Sequence, residues 1–139
     1  MTVRKEGIKP ARYRSKESMS VLVVDDDPFS VELMASALGK LGICNVTKET
    51  SAEAALRTLK TRHASIDLML TDLHMPGMDG FEFMASAAKM GFDGALIIVS
   101  GQEKEVVHSA SLIAQLQRIN LLGTITKPVT KESLSRLLA

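Results

Sequence analysis

Several features that whole classes of protein depend on are scarce in this chain. Its 139 residues include one cysteine, Cys44, and no tryptophan, and only 4% of them are aromatic. A single cysteine cannot form an internal disulfide, which excludes a disulfide-stabilised secreted domain and favours a reducing compartment. We expect Cys44 to be a small, buried or half-buried residue on a strand. With so few rings available, the core must be built from aliphatic side chains and methionine.

Long hydrophobic runs are also missing. No run approaches the ~18 apolar residues that a membrane span needs, and the N-terminus has no apolar block of the kind found in secretion signals. We therefore expect a cytoplasmic protein that has no contact with a membrane.

Net charge is small, +1, but it is unevenly distributed. The first 18 residues hold six basic groups against two acidic ones, a balance of +4, which leaves −3 for the remainder. This basic segment lacks the interleaved aromatic residues of a nucleic-acid-binding arm, so we expect no direct contact with nucleic acid. We interpret residues 1–19 as a flexible, solvated extension and residues 20–139 as one domain of ordinary size.

What the chain does have is a regular alternation of short apolar runs and helical patterns. The apolar runs predict strands near residues 21–24, 43–48, 67–71, 95–99 and 123–126. Short apolar strands that alternate with helices are typical of a parallel sheet buried on both faces. The pattern therefore predicts an α/β fold of the (βα)5 type, a doubly wound five-stranded parallel sheet in a three-layer α/β/α sandwich.

Turn and capping residues mark the predicted helix boundaries. Asp27 and Pro28 suit the start of the first helix, and the segment from Thr50 to Glu53 fits a capping box that opens the second. The fourth helix is predicted to be long and to run towards Asn120.

Polar side chains follow four of the predicted strands. They are Asp25 and Asp26, then Asp72, Ser100 and Lys127. Because the carboxyl ends of parallel strands share one edge of the sheet, these groups should converge on one pocket. Two carboxylates ~5 Å apart repel each other by roughly 3 kcal/mol at an effective dielectric constant near 20. A proton or a cation must relieve that repulsion, and oxygen ligands of this kind suit Mg²⁺.

The segment after the third strand carries the most specific motif. Asp72 leads Asp72-Leu73-His74-Met75-Pro76-Gly77-Met78-Asp79-Gly80. Together with the acidic pair after strand one, the serine after strand four and Lys127-Pro128 after strand five, this motif resembles the receiver domains of two-component response regulators. The likeness covers roughly residues 20 to 139.

The resemblance implies the remaining expectations for fold and site. The sheet should have the flavodoxin-like order 2-1-3-4-5. Asp72 should be the phosphoacceptor, assisted by Ser100 and Lys127, and Mg²⁺ should be held by Asp25, Asp26, Asp72 and the backbone carbonyl of His74. The Lys127-Pro128 peptide should be cis.

The same resemblance implies the signalling role. The partner should be a histidine kinase or a histidine phosphotransferase, and any enzymatic activity should be limited to self-phosphorylation and slow autodephosphorylation. An output domain beyond the C-terminus, of the cyclic-di-GMP phosphodiesterase type, and a homodimer are further expectations. Thr124 stands where receivers often carry an aromatic residue, so the switch should depend on Ser100 and the loop after it, with the fourth helix as the moving surface.

Two other functions compete with this one. A haloacid-dehalogenase-like phosphatase could use Asp25 and Asp27 as nucleophile and acid, but the acidic motif that such enzymes need beyond the lysine has no counterpart in the twelve residues after Lys127. A pseudo-receiver would be a binding module that never takes a phosphoryl group, and the full set of pocket residues argues against it.

Overall fold

The computed structural model describes residues 16–75, 77–78, 80–101 and 104–138. Within these ranges, a 3-10 turn at Lys16–Ser18 precedes five strands that alternate with five helices. The elements are β1 (Ser20–Val24), α1 (Pro28–Lys40), β2 (Asn45–Glu49), α2 (Ala52–Arg62), β3 (Leu68–Asp72), α3 (Gly80–Lys89), β4 (Ala95–Ser100), α4 (Lys104–Leu116), β5 (Asn120–Thr126) and α5 (Lys131–Leu138).

The strands form one sheet in the order β2-β1-β3-β4-β5. All of its pairings are parallel, which confirms the predicted topology. Every residue of β1 and β3 is buried, as expected of central strands covered by helices on both faces. The edge strand β2 is polar and contains no fully buried residue.

Alternate residues of the strands feed two hydrophobic cores on opposite faces of the sheet. One core joins Leu22 and Met69 to side chains from α2, α3 and α4, with Phe83 fully buried in it. The other joins Val21 and neighbouring strand residues to side chains from α1 and α5. Met19, just before β1, also belongs to this second core and is only 2% exposed.

Helix starts agree with the sequence at α1 and differ at α2. The side chain of Asp27 accepts a hydrogen bond from the Phe29 N–H at 3.0 Å, and Pro28 is the first helical residue. At α2 the cap is Ser51, whose Oγ accepts from the Ala54 N–H at 3.0 Å. The predicted capping box from Thr50 to Glu53 is therefore wrong by one residue. Thr50 and Ser51 both carry a hydroxyl group, and it is Ser51 that has the extended backbone of an N-cap.

Glycine ends two of the helices by the same hydrogen-bond pattern. At the end of α1, Gly42 has a φ of +87°, and the Ile43 N–H donates to the Leu38 carbonyl at 3.0 Å. α3 ends in the same way at Gly91, with a φ of +98°. This is the Schellman arrangement, in which a left-handed residue turns the chain out of the helix.

The end of α4 uses this arrangement without glycine. The Ile119 N–H donates to the Ala114 carbonyl at 3.0 Å, and the left-handed residue is Arg118, with a φ of +60°. The fourth helix was predicted to run towards Asn120 and the fifth strand to span residues 123–126, but α4 ends at Leu116 and β5 already begins at Asn120. Because no glycine directly follows α4, the sequence does not indicate where this helix ends.

Two further expectations concerned the exposure of Cys44 and the N-terminal extension. Cys44 is exposed and precedes β2, so the prediction of a buried or half-buried strand residue is wrong. The physical reason is that β2 is an edge strand, whose entry is not covered by a neighbour. The flexible extension was predicted for residues 1–19, and most of it, 1–15, lies outside the described residues.

Candidate functional site

The carboxyl edge of the sheet brings together the polar residues that the sequence singled out. Asp25 follows β1, Asp72 ends β3, Ser100 ends β4 and Lys127 follows β5. β1, β3 and β4 are interior strands of the sheet and β5 is an edge strand, and each side chain lies at the carboxyl end of its strand. This is the edge at which parallel α/β sheets bind ligands.

Three carboxylates form a cluster at this edge. One oxygen from each of Asp25, Asp26 and Asp72 lies within 4.8 Å of the others. Asp25 is fully buried and Asp72 is 5% exposed, whereas Asp26 is open to solvent. A donor set of oxygens alone, open on one side, is the kind that hard divalent cations prefer.

Asp25 is held at both of its oxygens. Its Oδ1 accepts a hydrogen bond from the Asp27 N–H at 2.9 Å, and its Oδ2 lies 2.7 Å from Nζ of Lys127. The first contact fixes the loop after β1, and the second places the ammonium in the pocket. Asp25 therefore positions both the loop after β1 and the Lys127 ammonium, while Asp26 faces solvent.

Lys127 also reaches the second buried carboxylate, since its Nζ lies 3.5 Å from Oδ2 of Asp72. Partial burial lowers the pKa of Lys127, but the hydrogen bond to Asp25 and the charges of Asp72 and Asp25 outweigh it, so that the pKa is raised overall. The ammonium thus stays charged. The Lys127-Pro128 peptide is cis, as predicted.

Asp72 has a pKa above its ordinary value of 3.8. Burial is the largest cause, followed by the negative charge of Asp25, while Lys127 and the backbone N–H groups of Leu73 and His74 act in the opposite direction. The Leu73 N–H donates to Oδ1 of Asp72 at 2.8 Å. These two backbone N–H groups orient the carboxylate. Sequence reasoning missed this role, because no side-chain motif indicates it.

The loop after Asp72 is closed by a glycine. The Gly80 N–H donates to the Leu73 carbonyl at 3.0 Å, and a Cβ at Gly80 would lie only 2.8 Å from the Leu73 Cα. The loop therefore returns to its own start only because position 80 has no side chain. His74 lies between them with an exposed side chain, while Pro76 and Asp79 of the motif are outside the described residues.

Ser100 is buried, with 2% exposure, at the end of β4. Its carbonyl accepts the Lys127 N–H at 3.1 Å, so that the ends of β4 and β5 are tied together beside the carboxylates. Gly101 follows and is exposed; Gln102 lies outside the described residues, as do the side chains of Lys104 to Val107. Thr124 is exposed on β5.

An apolar groove beside Lys127 was not foreseen from the sequence. It has a volume of about 270 Å³ and is lined by Phe29, Ser30, Leu33, Met34, Val99, Lys127, Pro128 and Val129. Phe29 is 68% exposed and Leu33 37%, which is unusual for large apolar side chains. The signal for it was Phe29 in the first turn of α1, a position that faces away from the core.

The dehalogenase alternative is not favoured by this geometry. The carboxylate of Asp27 caps α1 by accepting from the Phe29 N–H at 3.0 Å and from the Ser30 hydroxyl at 3.3 Å. It does not belong to the carboxylate cluster, which contains Asp26 and Asp72 in addition to Asp25.

Among the helices of the described part, none has the length and apolar character to cross a membrane.

Comparison with known proteins places this geometry in a family. The model of the response regulator receiver domain matches residues 21–139. A two-component response regulator from Oryza sativa subsp. indica is 32% identical over 107 residues, which are 74% of this chain and 15% of that protein. The cyclic di-GMP phosphodiesterase RocR from Pseudomonas aeruginosa is 27% identical over 120 residues, 86% of this chain and 30% of that protein.

A solved structure gives the same result at the level of the fold. The crystal structure of a response regulator from Colwellia psychrerythraea is 32% identical, with a TM-score of 0.73 over 87% of this chain and 94% of that one. The chain spans less than a third of the two relatives named above. The family match covers nearly all of the described fold and agrees with its strand order and with the acidic pocket. The chain therefore belongs to the family of response regulator receiver domains.

Proposed function

We propose that Asp72 accepts a phosphoryl group from a phosphohistidine of a partner protein, a histidine kinase or a histidine phosphotransferase. The observation that carries the proposal is the placement of a buried carboxylate 3.5 Å from a lysine ammonium, in a cluster of three carboxylates. A carboxylate needs no general base to attack phosphorus. What the reaction requires is positioning and neutralisation of charge.

The residues of the pocket fit a divalent metal ion. Three carboxylates and one ammonium leave a formal charge of −2 when all are ionised, and the open side at Asp26 gives a cation access. Asp25, Asp26, Asp72 and the backbone carbonyl of His74 would hold Mg²⁺. When bound, the ion would neutralise the acidic cluster and reduce its repulsion of an anionic phosphoryl group.

In the transfer itself, an oxygen of Asp72 forms a bond to phosphorus while the bond between phosphorus and the histidine nitrogen breaks. The electron pair of the broken bond stays on that nitrogen. Lys127 is placed to pair with a phosphoryl oxygen, and the hydroxyl of Ser100 would donate a hydrogen bond to another. The Leu73 and His74 amides keep the attacking carboxylate in position.

The apolar groove supports a protein as donor. It lies between α1 and the loop that joins β5 to α5, beside Lys127, and exposes Phe29 and Leu33. Apolar contacts there would hold the donor while its phosphohistidine reaches Asp72. We place such an encounter in the cytoplasm, where phosphohistidine donors and unpaired thiols such as that of Cys44 coexist.

Output is proposed to pass through the rest of a longer protein or through a separate partner. The two relatives named above are much longer than this chain, and one of them is a cyclic di-GMP phosphodiesterase. An output of that type, and dimerisation of the receiver, are compatible with the fold. Within the domain itself, the only chemistry proposed is self-phosphorylation by small donors and slow hydrolysis of the aspartyl phosphate.

Phosphorylation with a small donor tests the function. Incubation with Mg²⁺ and acetyl phosphate should add one phosphoryl group, measured by intact mass, and Asp72→Asn should abolish the addition. Asp27→Ser is the matched control, because it removes a neighbouring carboxylate but retains a side chain that can cap α1. Equal phosphorylation of the Asp72→Asn variant would refute the assignment, and absence of any adduct in the unaltered protein would favour the pseudo-receiver.

A further inference from the structure

The two edge strands of the sheet differ in their protection against pairing with another chain. The edge strand β2 carries Lys48, whose Nζ is paired with a carboxylate oxygen of Glu32 at 3.0 Å. A lysine on an edge strand discourages the addition of a further strand. The opposite edge strand, β5, spans seven residues of sequence NLLGTIT and carries no charged side chain.

The backbone of β5 presents hydrogen-bonding groups at its free edge. The Lys127 N–H donates to the Ser100 carbonyl, at the end of β4. Because successive residues of a strand direct their N–H and C=O groups to opposite sides, those of Thr126 and Thr124 point away from β4. Both threonines are exposed.

An irregularity protects only the first half of this edge. The pairing of β4 with β5 shifts register between Leu96 and Ile97, where Leu122 is the additional residue of β5. Such bulges twist an edge and make pairing harder. The register is regular from Gly123 to Thr126, so that this stretch remains available to an added strand.

A cleft beside this stretch indicates the chemistry of its occupant. It has a volume of about 310 Å³ and is lined by Thr124, Ile125, Thr126, Ser133, Arg136 and Leu137. Ile125 and Leu137 are apolar, Arg136 supplies a cation, and no lining residue is acidic. An apolar side chain next to a carboxylate would complement this lining.

We propose that the free edge of β5, from Gly123 to Thr126, receives an extended segment of a partner protein as a sixth strand, with an acidic side chain of that segment placed at Arg136. Main-chain hydrogen bonds to the two threonines would provide affinity, and the cleft would provide specificity, as in other cases of strand addition. A second copy of this chain fits less well, because its own β5 is uncharged and would bring a second Arg136 and no carboxylate.

Strand addition at β5 would affect the strand that immediately precedes Lys127 of the pocket. β5 leads directly into Lys127, so an added strand would restrict the backbone that positions this ammonium. The proposal rests on the edge strand and its cleft. It does not depend on whether Asp72 is phosphorylated.

Nuclear magnetic resonance with a defined peptide tests this proposal. The probe is an eight-residue peptide that alternates valine with threonine and carries one central glutamate. It should slow the exchange of the Thr124 and Thr126 amides by roughly tenfold or more at ~1 mM peptide. A peptide with glutamine in place of glutamate should bind about threefold more weakly, and Arg136→Gln should remove this difference.

Variants at the edge separate backbone pairing from side-chain contact. Thr124→Pro removes an outward N–H, a change that edge strands tolerate, and should abolish binding, whereas Thr124→Val should retain it. If Thr124→Pro fails to fold, a peptide with alternate amides N-methylated makes the same test and should not bind. The proposal is overturned if neither threonine amide is protected, if Thr124→Pro binds as Thr124→Val does, or if the free protein dimerises through β5 in sedimentation experiments.

Discussion

Lys127 is paired more closely with Asp25 than with Asp72. Its Nζ lies 2.7 Å from Oδ2 of Asp25 and 3.5 Å from Oδ2 of Asp72. Asp25 has no solvent exposure, so its charge is expensive to leave without a partner, and Lys127 offsets that cost. The ammonium is therefore anchored by one carboxylate while it remains within reach of the other, which is the carboxylate proposed to react.

The raised pKa of Asp72 has a consequence for stability. A carboxyl group whose pKa is higher in the folded protein than in the unfolded chain destabilises the fold as the pH rises above its ordinary value of 3.8. In the absence of divalent metal, Asp72→Asn should raise the free energy of unfolding at neutral pH by on the order of 1 kcal/mol.

The pH dependence provides the check on that gain. In urea titrations with a chelator present, the difference between Asp72→Asn and the unaltered protein should narrow as the pH is lowered through the raised pKa towards 3.8, the ordinary value. A gain that stays constant over this interval would show that it does not arise from ionisation of Asp72.

Binding of Mg²⁺ should depend on the exposed member of the carboxylate cluster. Asp26→Asn removes the ligand that faces solvent, and we expect it to weaken Mg²⁺ binding by at least about tenfold while the fold persists. Calorimetric titration with Mg²⁺ measures the change, and Asp27→Ser serves as the control that should bind as before. Undiminished binding by Asp26→Asn would contradict the assignment of the pocket.

The left-handed residue that ends α4 should limit stability. Arg118 has a φ of +60°, a conformation that costs a residue with a Cβ about 1 kcal/mol relative to glycine. Arg118→Gly should therefore raise the free energy of unfolding, measured by urea titration, by roughly 0.5–1 kcal/mol. Arg118→Ala should not raise it. Equal effects of both substitutions would point to the lost charge and not to the backbone.

The switch is expected to involve α4. Since Thr124 is exposed and is not aromatic, a rotating ring at that position cannot report the state of the pocket. Beryllofluoride, a mimic of the phosphoryl group, should draw in Ser100 and change amide exchange from Gly101 through α4. Changes confined to the loop after Asp72 would exclude α4 as the signalling surface.

The fold was largely predictable because the strands of a buried parallel sheet are nearly pure apolar runs. β1 and β3 are buried at every residue, and their sequences have no competing helical pattern. β5 was harder to delimit, since its start at Asn120 follows a helix that ends without glycine. The prediction for Cys44 failed because this residue lies just before an edge strand and is exposed, whereas its neighbour Ile43 is buried in the core.

The charged residues of the site were predictable because strand ends converge by topology alone. Asp25, Asp26, Asp72 and Lys127 needed only the correct strand order to be brought together. The backbone amides that orient Asp72 depend on the path of the loop after β3, and the groove around Phe29 depends on how α1 lies beside the loop after β5. Neither leaves a periodic signal in the sequence.

The burial of Met19 matters to anyone who shortens this protein. A chain cut to begin at the first strand residue would lack a side chain that is only 2% exposed in the core shared by α1 and α5. Loss of a buried methionine side chain typically costs about 2–5 kcal/mol, a large part of the stability of a domain this size. Truncations should therefore retain Lys16–Ser18 and Met19, and a receiver trimmed at residue 20 should aggregate or melt early for reasons unrelated to its phosphorylation chemistry.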